Sequence, residues 1–155
     1  MSKFGYCELQ VDITSGTKLF NAIVPVAPEG IKFIALNKLH ATIMYDARDP
    51  EVSPDANNKI YKAKITGVKM LGEPGSKWRS CAIVLDCPAV QERHKELIGL
   101  GFEHSYPELL LHVSLVYGKD ADVIYPAIQT LFDEGKLPDT LTLCHETWDT
   151  CNDWN

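Results

Sequence analysis

Residues two places apart on a β-strand point from the same face, and this sequence twice sets a hydroxyl residue two places after a histidine in one context. Leu39-His-Ala-Thr-Ile-Met-Tyr45 and Leu111-His-Val-Ser-Leu-Val-Tyr117 both read Leu, His, apolar, hydroxyl, apolar, apolar, Tyr. A neutral imidazole removes a proton and a charged one donates it, so His40 and His112 can divide one proton-transfer cycle. Thr42 and Ser114 can donate hydrogen bonds to non-bridging phosphate oxygens, stabilising the charge that builds in the transition state. Phosphodiester cleavage suits this set, because the attacking hydroxyl must lose a proton and the leaving oxygen must gain one. His145-Glu-Thr147 has the same spacing, but it lacks the Leu and Tyr flanks and breaks the repeat described next.

The elements that must position these residues recur. Residues 4–13 alternate as a strand, with Cys7, Leu9 and Val11 inward and Tyr6, Glu8 and Gln10 on the other face. Thr14 or Ser15 can cap a helix running to about Val24, and a short apolar piece, 31–36, precedes the first histidine strand. Residues 46–58 are rich in turn formers and read as an exposed loop. Strands follow at 60–71 and 78–86, then a helix opening at Pro88 and stopping at Gly101, with His94 on its stripe as a structural residue and His104 in an exposed loop beyond. The second histidine strand comes next, then a helix over 121–135 and a strand over 140–150 with Leu141, Leu143 and His145 on one face. Strict alternation turns Tyr45 and Tyr117 away from the histidines. Strand, helix, histidine strand therefore occurs at 4–45 and again at 79–117. The expectation is an α+β fold over a single domain, 1–155, with two pseudo-symmetric β-sheet lobes, helices outside and a central cleft.

Bulk properties narrow the function. The chain has 155 residues, 45% hydrophobic and 23% charged, which suits a soluble globular domain with its own core. It begins without an apolar signal segment and has no stretch approaching a membrane span, so a cytoplasmic protein is expected. Five scattered cysteines, with no Cys-x-x-Cys, indicate small buried residues rather than a disulfide framework or zinc site. A net charge of −6 argues against gripping long nucleic acid. Charge is uneven, however: residues 32–79 carry nine Lys and Arg against five Asp and Glu, whereas 80–155 carry four against thirteen. A small anionic ligand held near the first region fits that distribution.

With its paired motifs His40-Ala-Thr-Ile and His112-Val-Ser-Leu, the chain resembles the two-histidine (2H) phosphoesterases, defined by two His-x-Thr/Ser motifs on facing strands of a bilobal fold. Ser114 in place of the commoner Thr keeps the hydroxyl. In size and layout the chain is similar to the small phage-encoded anti-CBASS nucleases. That resemblance implies cleavage, without metal or other cofactor, of the cyclic di- and trinucleotides of bacterial immunity. It also implies attack of a ribose 2′-hydroxyl on the adjacent 3′–5′ phosphodiester, with His40 and His112 as base and acid in unassigned order. Such a ligand presents bases that stack on aromatic rings, which makes Trp78, beside Lys77 and Arg79, and Trp148, in a polar C-terminal run, candidate platforms. Tyr6 could border the cleft and Glu146 could accept from a base amino group. A monomer acting on a small cyclic nucleotide, with no long nucleic acid and no membrane, is expected. The alternatives are a 2H enzyme of RNA ends, as a 2′,3′-cyclic phosphodiesterase or 2′–5′ ligase-like enzyme, and a non-catalytic nucleotide sponge.

Overall fold

The computed structural model describes residues 3–52 and 55–151; Ser53 and Pro54 of the expected loop lie outside them. In chain order the elements are β1 (Tyr6–Val11), α1 (Ile13–Ile23), β2 (His40–Tyr45), β3 (Tyr61–Leu71), β4 (Ser80–Asp86), α2 (Pro88–Gly99), β5 (His112–Tyr117), α3 (Lys119–Asp133) and β6 (Thr140–Asp149). Asp12, rather than Thr14 or Ser15, caps α1, its side chain accepting from the Ser15 N–H at 3.3 Å. The Ser15 hydroxyl is engaged elsewhere, accepting from the Thr142 N–H at 2.8 Å and tying α1 to β6.

The strands form one antiparallel sheet in the order β2-β1-β6-β3-β4-β5. The expected division into two sheets does not appear, and β6 is the reason. Its Thr140–Leu143 half pairs with β3, and Leu143–Asp149 pairs with β1, so both halves of the repeat hang on one long strand. Leu9, Val11, Ala41, Ile83, Val113 and Leu141 turn to one face and form a single core with Leu19 and Ile23 of α1, Val90 and Leu97 of α2, and Ile124 and Ile128 of α3. All five cysteines are free and buried. Burial of this apolar surface holds the sheet rigid and leaves the polar positions of the alternation on the opposite face.

The sheet order puts β2 and β5 at opposite edges, yet the two approach each other in space. The short apolar piece 31–36 forms no strand; Ile34 donates its N–H to Leu115 O at 2.8 Å, fastening the approach to β2 onto β5. Among the described residues no helix is long and apolar enough to cross a membrane.

Candidate active site

The repeat holds residue by residue in the strand pairing. Tyr6 faces Tyr45 as Ser80 faces Tyr117, Glu8 faces Thr42 as Ala82 faces Ser114, and Gln10 faces His40 as Val84 faces His112. Each motif hydroxyl is hydrogen-bonded to a hydroxyl of the neighbouring strand. Tyr6 Oη lies 3.1 Å from Thr42 Oγ1, and Ser114 Oγ donates to Ser80 Oγ at 3.2 Å. The Tyr6 phenol is held well above its ordinary value, chiefly because it is buried.

The histidines are set alike. His40 Nδ1 is 3.0 Å from Lys38 O, and His112 Nδ1 is 2.7 Å from Leu110 O, each the carbonyl two residues back. A carbonyl only accepts, so Nδ1 carries the hydrogen in both rings. Nε2 is then the atom left to take or give a proton. The rings are near enough for the charge of His40 to act on His112, whose pKa is lowered, chiefly by burial, against the opposing Leu110 bond and with a smaller lowering from His40.

A feature that alternation alone missed lies just beyond each hydroxyl. The β1/β2 register skips Ile43 and the β4/β5 register skips Leu115, so each histidine strand carries a bulge at the same point and shows the same run of buried residues. One extra residue reverses the alternation. Tyr45 and Tyr117 therefore stand on the side of the histidines, not opposite to them as expected. Tyr45 meets Tyr6 edge to face with centroids 6.4 Å apart and also meets Tyr106 at 5.8 Å. The bulge in β2 is propped by two further histidines. His94 Nδ1 bonds Ile43 O at 2.7 Å, and the Tyr45 N–H donates to His104 Nδ1 at 3.1 Å. His94 is thus structural as expected, whereas His104 is a half-buried acceptor rather than an exposed loop residue.

The other sequence candidates divide. Trp78 is exposed and meets Tyr117 edge to face at 5.8 Å, with Lys77 Nζ 5.2 Å from its ring centroid, so the structure brings it to the histidine side of β5. Glu146 and Trp148 are instead engaged in seating α2 on the sheet. The Glu146 carboxylate accepts two 2.8 Å bonds from Arg93, as well as the Asn57 N–H and Trp148 Nε1, and its side chain has no exposed surface. Trp148 stacks on Phe102 with centroids 4.9 Å apart. His145 does not share a face with Leu141 and Leu143: the β1/β6 register shifts there, and His145 is exposed with φ 53°. A concavity of about 400 Å³ near Asp12, Lys18 and Lys62 holds neither motif histidine. Among the described residues no group of three or more His, Cys, Asp or Glu is placed to hold a metal.

Comparison with known proteins places the chain. A family model described as "Anti-CBASS protein Acb1" matches residues 29–144, a span that includes both histidine motifs and excludes β1. The Anti-CBASS protein Acb1 of Vibrio phage KVP40 (isolate Vibrio parahaemolyticus/Japan/Matsuzaki/1991) is 31% identical over 90 residues, which is 58% of this chain and 56% of the relative, so the match spans little more than half the length of that curated protein. With the family model extending over well more than half of its residues, the chain belongs to the anti-CBASS protein Acb1 family.

Proposed function

We propose that the protein is a phosphodiesterase that linearises cyclic di- and trinucleotide signals of bacterial immunity in the cytoplasm of the host cell, using the two-histidine chemistry of the 2H phosphoesterases without a metal. The observation that carries this reading is the matched setting of His40 and His112. Both donate Nδ1–H to the carbonyl two residues back, and both keep Nε2 for chemistry. Binding alone needs no such pair. A general base and a general acid do, and together they are worth a large part of a phosphodiester-cleaving rate. Thr42 and Ser114, each steadied by a neighbouring hydroxyl, would face the non-bridging oxygens. Tyr45 and Tyr117, with Tyr6, Tyr106 and Trp78 against them, offer ring surface for bases in both halves of the repeat.

The test is incubation with a panel of cyclic di- and trinucleotides in EDTA, followed by chromatography, with His40→Ala and His112→Ala in parallel. Linear products from wild type alone support the reading. Intact nucleotide released only on denaturation would identify a sponge instead, and neither cleavage nor binding would redirect the search to RNA ends.

A further inference from the structure

The two halves of the repeat pair in matching register but differ in polarity at two positions of the neighbour strand. Where Glu8 pairs with Thr42 in the first half, Ala82 pairs with Ser114 in the second, and where Gln10 pairs with His40, Val84 pairs with His112. The neighbour strand is thus polar beside one histidine and apolar beside the other. Glu8 Oε2 stands 3.8 Å from His40 Nδ1, with both side chains about three-quarters buried. At that distance, and with Nδ1–H already bonded to Lys38 O at 3.0 Å, the carboxylate acts through its charge. It sets a negative charge beside the His40 ring. His112 has no carboxylate in the equivalent place, and Ala82 there is fully buried.

From this asymmetry we infer that Glu8 is a positioning residue that makes His40 the general acid and leaves His112 as the general base. The inference rests on the phosphodiesterase reading. His112, its neutral form favoured by burial, takes the proton from the ribose 2′-hydroxyl at Nε2. The 2′-oxygen forms a bond to phosphorus as the bond from phosphorus to the 5′-oxygen breaks. The departing 5′-oxygen takes its proton from His40 Nε2, leaving a 2′,3′-cyclic phosphate on one end and a 5′-hydroxyl on the other. The charged and titratable groups around this pair come from several strands. Glu8 on β1 stands beside His40, the charge of His40 acts on His112 of β5, the Tyr6 phenol interacts with Glu8, and Glu8 also lines a pocket of about 220 Å³ with Lys38 and His145. Glu8 lies outside the residues matched by the family model, so the assignment is read from this chain's own geometry.

The decisive experiment changes the leaving group. The panel member turned over fastest by wild type is prepared with sulfur in place of the bridging 5′-oxygen, because a thiolate leaves without protonation. On the oxygen substrate His40→Ala and His112→Ala each lose roughly a hundredfold or more, and Glu8→Gln loses roughly two- to fivefold, the scale of one partly exposed charge pair. On the sulfur substrate His40→Ala and Glu8→Gln recover to near wild type and His112→Ala does not. Glu8→Asp, which keeps the charge, retains more activity on oxygen than Glu8→Gln. Rescue of His112→Ala instead would reverse the roles and overturn the inference. A Glu8→Gln loss that persists on sulfur would mark Glu8 as merely structural, and no loss at all would leave it no role. If wild type cleaves neither substrate, the phosphodiesterase reading itself fails, an outcome distinct from all of these.

Discussion

Tyr6 Oη stands 3.1 Å from Thr42 Oγ1 across the β1/β2 ladder, in the place where Ser80 meets Ser114 across β4/β5. A buried phenol beside a motif hydroxyl fixes the rotor that, on the proposed function, points at phosphate. Tyr6→Phe keeps the ring and its edge contact with Tyr45 while removing that bond. Its loss is worth about 1 kcal/mol, so turnover should fall roughly fivefold while the melting temperature drops by only about 2–4 °C. Steady-state kinetics alongside a thermal melt checks this.

Glu146 tests packing against recognition. Its carboxylate is fully enclosed and takes both guanidinium bonds of Arg93. Glu146→Leu strands the arginine beside the core, with Glu96 and the Asp55 carbonyl as its remaining partners, and should cost about 3 kcal/mol of stability. Urea unfolding reads that loss. At low temperature the folded variant should keep its affinity for nucleotide, since the side chain it loses bonds α2 and not the histidine face.

The bulge tyrosines should matter for binding. Tyr45→Ala and Tyr117→Ala each remove one ring from the side of the sheet that carries the histidines. A stacked base is worth about 1 to 3 kcal/mol, so KM should rise by at least roughly fivefold while kcat changes little. A fall in kcat at unchanged KM would count against stacking there.

Activity should fall toward acid. His112 has its pKa lowered below the ordinary histidine value of 6.5, first by burial, and a base works only when neutral. The acidic limb of kcat/KM in wild type should therefore have its midpoint below 6.5, with activity lost as pH falls through the folded-state value. A midpoint above 6.5 would contradict His112 as base.

Stability carries a parallel signature at His104. Its Nδ1 accepts from the Tyr45 N–H, which needs the neutral ring, and its pKa is lowered first by burial and then by His94. As pH drops below the unfolded-chain histidine value, the unfolded chain binds a proton that the folded protein refuses until lower pH. Stability should therefore decline on acidification across that window. Chemical denaturation from pH 7.5 to 5 should show the slope, and His104→Gln, which removes the titrating group, should flatten it.

The paired histidine motifs were legible in the sequence because they are local. A histidine and a hydroxyl two places apart share a strand face whatever the fold, and the second copy with the same flanks marked a repeat. Tyr6 on the histidine side, the buried cysteines and the order of helices and strands follow from the same short-range patterns. What the tertiary structure decided depends on partners distant in the chain. The bulges at Ile43 and Leu115 exist only in register with β1 and β4, and they alone turn Tyr45 and Tyr117 to the histidine side. Glu146 stands in the sequence as an acceptor for a base amino group, and only the fold closes Arg93, 53 residues away, on it. One sheet replaces two because β6 pairs with both β1 and β3, a choice made by backbone hydrogen bonding that no side-chain pattern announces. Glu8 likewise stood in the sequence as one polar residue of an alternating strand. Only the pairing that sets it beside His40, and Ala82 beside the other motif, makes two alike histidines unlike.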